Sequence, residues 1–186
     1  MPCKYDSNTI ISYLADIFSS LVKPNAMREY SIIKPDTWKR NYEIRNDQGW
    51  SIGYVNWKGS FTSEAELIGK SNRWDISTNI WWTKLIISDR FGTDVGIMNI
   101  NSLSSKMTLN YKGEIFNFKN YNWTSSVYIW QDSEDNKLVS FKTGSFGSVK
   151  SSGIRVYYEM DSELKELLVL LGWYAFMMKR RQQGAA

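Results

Sequence analysis

Two periodicities divide the chain. Over residues 7–22, SNTIISYLADIFSSLV, the positions Ile10, Ile11, Leu14, Ile17, Phe18 and Leu21 recur at helical spacing and make one apolar stripe. Asn8, Ser12, Asp16 and Ser19 lie opposite, Ser7 can cap the start, and Pro24 stands just past the end. Asp16 breaks the continuous apolar stretch that a secretory signal needs. The polar face carries no Lys or Arg, as a helix lying on a membrane surface usually would. The pattern predicts an amphipathic N-terminal helix within residues 1–24, packed on the outside of the domain.

From Arg28 onward the period is two. Met107, Leu109 and Tyr111 alternate with Thr108 and Asn110, and Ile154, Val156 and Tyr158 alternate with Arg155 and Tyr157. Such strands bury one face. Further segments of this kind are YEIR (42–45), WSIGYVNW (50–57), KLIIS (84–88), VGIMNI (95–100), EIFNF (114–118), SVYIW (126–130) and KLVSFK (137–142). Hairpin punctuation separates them at NDQG (46–49), RFGTD (90–94), YKGE (111–114), DSEDNK (132–137) and KSSG (150–153). About a dozen strands within residues 28–158 predict a closed barrel or a sandwich. A loose unit of strand, Asn or Asp, Gly, strand recurs in IRNDQGWSIGYV and IISDRFGTDVGIM. No linker interrupts the chain, so a single domain over residues 1–186 is expected.

The pattern changes once more near the end. Leu167 to Met178 is unbroken by any charged or strongly polar residue and closes on Lys179, Arg180 and Arg181. Asp161 or Ser162 can cap a helix here, and Glu163 and Glu166 place negative charge in its first turn. The terminal cations match its other pole. A helix over 161–183 is therefore well specified. From Leu164 to Met178 it would be about 22 Å long, against about 30 Å for a bilayer core, and it is apolar on every face. Such a helix lies either in lipid or in the middle of a core. With amphipathic strands upstream, the expected place is inside the strands.

Composition adds three constraints. Nine Trp, eleven Tyr and eight Phe suit pleated, half-buried surfaces and lean the chain towards β. The single cysteine, Cys3, excludes an intramolecular disulfide and points to a reducing compartment. The absence of histidine removes Ser-His and Cys-His nucleophile systems and every His-dependent metal site. No phosphate-binding loop, dinucleotide fingerprint or G-x-S-x-G elbow occurs. GSFGS (144–148) lacks the Lys that a phosphate cradle needs and reads as a turn. Asp132, Glu134 and Asp135 crowd one turn, but their spacing lacks the glycine and the bidentate Glu of a calcium loop, so a solvated hairpin is expected. No catalytic residue, cofactor or metal is implied, and a non-enzymatic protein is expected.

The order of these elements resembles the tubby C-terminal-like superfamily, which includes the tubby, LURP-one-related and phospholipid scramblase proteins. The resemblance covers about residues 28–183. It rests on the strand-Asp-Gly-strand units (IRNDQGW, IISDRFGTDVG) and on the ending DSELKELLVLLGWYAFMMKRR. It implies an α+β, mostly β fold, in which a closed antiparallel barrel of about twelve strands surrounds the hydrophobic C-terminal helix. It also implies a binding or scaffold role that contacts anionic phospholipid or phosphoinositide head groups, or a protein partner, through the outer surface. The alternative it implies is a scramblase-like membrane-associated protein anchored by the C-terminal helix. Nucleic acid is not the expected partner of a chain with net charge +4 spread along its length. The expected place is the cytoplasm, peripheral to a membrane.

A cation beside an aromatic ring can hold a phosphate while the ring sits at a lipid interface. Lys39 and Arg40 follow Trp38, Arg73 precedes Trp74, and Lys84 follows Trp82 with Thr83 between them. With the tubby resemblance, these four cations are the candidates for a phosphate or lipid head group. The alternative is that strand alternation turns each ring inward and each cation outward, with no ligand involved. Lys179, Arg180 and Arg181 are explained by the helix terminus.

Overall fold

A computed structural model describes residues 27–34, 41–59, 63–79, 83–101, 106–122, 126–142 and 153–184. Alternation along the chain becomes twelve strands: β1 (Arg28–Ile33), β2 (Asn41–Asn46), β3 (Ser51–Trp57), β4 (Ala65–Gly69), β5 (Arg73–Thr78) and β6 (Lys84–Asp89), then β7 (Asp94–Ile100), β8 (Met107–Tyr111), β9 (Glu114–Asn120), β10 (Val127–Gln131), β11 (Lys137–Lys142) and β12 (Gly153–Val156). Every strand pairs antiparallel with its chain neighbours, and β1 pairs with β12, Tyr30 opposite Ile154, to close a barrel. Closure leaves no sheet edge open to another chain. The N-terminal helix expected over 1–24 lies outside the described residues.

The turns show how the chain repeats itself. Asn46, Asp89 and Asp132 are evenly spaced along the sequence and make the same turn. Asn46 Oδ1 accepts from the amides of Gln48 (3.1 Å) and Trp50 (2.8 Å), and Asp89 Oδ1 from Phe91 (2.8 Å) and Thr93 (2.9 Å). Asp132 Oδ1 accepts from Glu134 (2.9 Å) and Asn136 (2.8 Å). In each turn the third residue after the Asn or Asp has positive φ: Gly49 (81°), Gly92 (80°) and Asp135 (64°). A register shift precedes each turn, at Ile44/Arg45, Ile87/Ser88 and Trp130/Gln131. The unit seen twice in the sequence thus occurs three times. The third copy is hidden because Asp135 stands where the others have Gly, and Asp tolerates that conformation better than most residues do.

One helix, α1 (Ser162–Gly184), fills the barrel. Asp161 Oδ2 caps its start by accepting from the amides of Glu163 (2.9 Å) and Leu164 (3.2 Å). Leu167 to Leu171 and Trp173 to Phe176 are almost wholly removed from solvent. The Trp173 ring meets Tyr42 edge-on at 5.7 Å and stacks on Phe176 at 5.3 Å. Protein therefore surrounds the apolar run, and among the described residues no helix is long and apolar enough to cross a membrane. To enter lipid, α1 would have to abandon the core it forms.

The interior is filled asymmetrically. On the β3–β4 wall, three inward positions are small (Gly53, Ala65 and Gly69) among the larger Val55, Trp57 and Leu67, and a Cβ at Gly53 would meet Leu170 and the Ile68 carbonyl. On the β10–β11 wall, three inward positions are aromatic, Tyr128, Trp130 and Phe141, with Val139 beside them. The helix passes that wall at Gly172, where a Cβ would lie 2.5 Å from Trp130 Nε1. The room left by Gly172 lets the Trp130 indole donate to the Leu168 carbonyl at 2.8 Å. Tyr158, expected to continue the buried face of β12, lies beyond the strand's end and is half exposed.

Candidate functional site

The two barrel mouths can be told apart by the helix. Glu163, in the first turn of α1, accepts from Tyr111 Oη (2.6 Å) and Lys112 Nζ (2.9 Å), so the short turns lie at this mouth. At the other mouth, Trp57 at the end of β3 stacks on Tyr174 (4.5 Å) and carries the Arg181 guanidinium 3.7 Å above its ring. Lys84 begins β6 opposite Asn99, near the end of β7, and so belongs to the mouth of the helix C-terminus.

The structure separates the four expected cations. Lys39 and Arg40 lie outside the described residues. Arg73 begins β5 at the helix N-terminal mouth, its guanidinium 2.5 Å from Glu66. That carboxylate offsets its charge, while Trp74 beside it points into the core and is 1% exposed. For this pair, alternation alone accounts for the cation beside the ring. Lys84 is different. It stands on the outer face with Thr83, Asn99, Ile100, Asn101, Lys106 and Thr108 around a groove of about 630 Å³. Among the described residues no carboxylate lines it.

Local structure holds this groove in place. Asn79 Oδ1 accepts from the amides of Thr83 (2.9 Å) and Lys84 (3.0 Å), and its Nδ2 donates to Thr83 Oγ1 (3.0 Å). The Ile100 amide donates to the Thr83 carbonyl at 2.8 Å. Register then places Lys84, Asn99 and Thr108 side by side across β6, β7 and β8. The result is a cationic groove with amide and hydroxyl donors on a rigid sheet, suited to an anion that takes hydrogen bonds from several sides. Lys106 has no aromatic neighbour in sequence. Its membership follows only from the β7–β8 pairing.

Sequence reasoning missed two other features. Lys179 is 8% exposed, and burial pushes its ammonium below the ordinary lysine range. It is a core residue at the helix end rather than a solvated cation. On the outer face of β10–β12, Lys137 Nζ sits 4.5 Å from the Tyr121 ring centre and 4.4 Å from that of Tyr157, and the Tyr157 hydroxyl is 3.1 Å from Ser140 Oγ. Burial alone would raise the Tyr157 phenol. Hydrogen bonds with Lys137 and Ser140 and the nearby cations outweigh it and lower the phenol. No sequence motif joins these residues; hairpin pairing and the turn into Tyr157 bring them together.

Two carboxylates away from the groove, Glu43 and Asp132, are held as anions by structural partners. Glu43 lies below the usual range because Arg45 donates to it at 2.7 Å. At Asp132, burial opposes ionisation but the hydrogen bonds of its turn prevail. The acidic hairpin at Asp132 is therefore organised by its own amides. Among the described residues no group of three or more metal-ligating side chains occurs.

The fold and groove define a closed twelve-stranded antiparallel barrel, filled by its C-terminal helix and carrying a cationic groove on its outer face. No protein-family model and no curated protein matches the chain. It is similar to a solved X-ray structure of a protein from Arabidopsis thaliana, with 12% identity, coverage of 78% of this chain and 89% of that one, and a TM-score of 0.37. That similarity is too low to carry fold or function across.

Proposed function

We propose that this chain is a non-enzymatic binding barrel of the LURP-one and tubby-like type, which engages anionic phospholipid or phosphoinositide head groups on its outer surface. The observation that supports this reading is the groove of Lys84 and Lys106, lined among the described residues by two Asn and two Thr and by no carboxylate. Its place on the sheet exterior leaves the core undisturbed when a ligand binds. A basic side chain near an anionic bilayer contributes about 1 kcal/mol, so each lysine is worth about fivefold in affinity.

Co-sedimentation with phosphatidylcholine vesicles, with and without phosphatidylserine or a phosphoinositide, tests the proposal. Binding is expected only to the anionic vesicles. Lys84→Gln and Lys106→Gln should each weaken it about fivefold, whereas Arg73→Gln, whose charge Glu66 already offsets, should change it little. Equal binding to neutral vesicles, or an Arg73→Gln defect as large as that of Lys84→Gln, would refute the assignment.

A further inference from the structure

A second groove, of about 440 Å³, runs along the outer face of β10, β11 and β12, away from the Lys84 groove on β6–β8. Alternation and register build it. Val139 and Phe141 face inward on β11, so Ser140 and Lys142 face outward, Ser140 opposite Arg155 and Lys142 opposite Gly153. A Cβ at Gly153 would meet nothing, so the floor between Lys142 and Arg155 is open. Tyr121, half exposed, and Val127 make an apolar wall.

The charge of this groove is not balanced. Lys137, Lys142 and Arg155 line it with a single carboxylate, Glu29, which is already bound to Arg155 Nε at 2.7 Å. Two positive charges are in surplus. Neither Lys137 nor Lys142 forms an ion pair among the described residues. Lys142 and Arg155 are exposed and Tyr157 is half-buried, so a ligand can reach all three. The hydroxyls of Ser140 and Tyr157 lie 3.1 Å apart. One hydrogen bond between two O–H groups leaves one hydrogen over, and among the described residues no acceptor takes it. The Tyr157 phenol also reports the local field. Burial would raise it, yet Lys137, Ser140 and the cations around it lower it, so this place favours negative charge.

We infer that this groove binds a phosphate monoester. Near neutral pH such a group carries a charge of about −1.5 to −2, which matches the surplus, whereas a sulfate ester or a carboxylate carries only one charge. Lys142 and Arg155 flank the phosphate above Gly153, the spare hydroxyl hydrogen of the Ser140–Tyr157 pair donates to it, and Tyr121 and Val127 line the carbon part of the ester. The volume falls within the range of small-molecule sites. The inference does not rest on the lipid reading of the Lys84 groove.

Isothermal titration of the full chain at neutral pH with phenyl phosphate and phenyl sulfate, alike in shape and unlike in charge, tests it. The phosphate is expected to bind about tenfold more tightly than the sulfate. Lys142→Gln should weaken phosphate binding about fivefold, Lys84→Gln should leave it unchanged, and Glu29→Gln should strengthen it, a gain that misfolding cannot mimic. Vesicles carrying phosphatidic acid, a lipid phosphate monoester, separate the two sources of the ligand. If Lys142→Gln weakens binding to them as well, the site takes a lipid head group; if it does not, the site takes a soluble ester. Equal binding of the two phenyl probes, saturable binding of neither, no gain in Glu29→Gln, or a Lys84→Gln defect as large as that of Lys142→Gln would overturn the assignment.

Discussion

Gly172 shows how one residue sets the distance between helix and wall. Adding a methyl group there forces Phe141 and the Trp130 indole away and threatens the indole's bond to the Leu168 carbonyl. Gly172→Ala would gain helix propensity, yet overpacking a filled core typically costs about 1–3 kcal/mol. The net expectation is a lower urea midpoint; an unchanged or higher midpoint would show that the wall yields. At the helix start, Tyr111 and Lys112 donate to Glu163 and hold its carboxyl below the ordinary range. A depressed carboxyl stabilises the fold above its unfolded pKa near 4.5, and that contribution is lost as pH falls through the folded value. Tyr111, pushed up to about 12 by burial and by Glu163, works on the other side: its contribution is present below pH 10 and lost as pH rises towards 12. Tyr111→Phe should therefore make both limbs of a stability–pH curve shallower, a change that urea titrations at several pH values would reveal. Glu163 was legible in the sequence as first-turn charge. Its partners were not, because half a hundred residues separate them and only barrel closure brings them together.

At the scale of elements, α1 acts as the hub. Trp173 touches Tyr42 and Phe176 and is 1% exposed, so Trp173→Ala should cost about 3–5 kcal/mol, measured by equilibrium unfolding. A chain lacking residues 162–184 should lose cooperative unfolding altogether, since the inward rows of all twelve strands would face a void. A sharp calorimetric transition in that truncated chain would contradict the hub role. Strand boundaries were legible to within a residue or two wherever alternation was strong, as in β8 and β12. β4 and β5 alternate too, with Ala65, Leu67, Trp74 and Ile76 inward and Glu66 and Asp75 outward, but alternation does not say which residues face each other across the two strands. Arg73 illustrates the consequence: its neighbour Trp74 made it conspicuous, while the β4–β5 register that brings it to Glu66 could not be read from spacing.

For the whole molecule, function belongs to the exterior and the mouths because the interior is occupied. Charge is modest, net +4, so any attraction of the Lys84 groove to anionic vesicles depends on where cations gather rather than on their total. Exposed charges are screened within about 3 Å at 1 M salt, against about 10 Å at 0.1 M. Vesicle binding should accordingly fall steeply between those salt concentrations; binding that survives 1 M salt would mean an apolar contact holds the membrane instead. Stability should change far less over the same range, because the core is apolar and the described ion pairs lie mainly at the surface.

By itself, the sequence determined what local periodicity can carry. It specified short amphipathic strands joined by turns, a capped helix apolar on every face, and a chemistry without histidine or disulfide. These follow from the 2.0 and 3.6 residue repeats and from residue types, which act over a few positions. Tertiary structure decided which strands become neighbours, and with that which charges meet. It paired Arg73 with Glu66, set Lys106 beside Lys84, buried Lys179 and brought Lys137 to Tyr157. Such outcomes depend on closure and register across dozens of residues, distances over which no local pattern holds information.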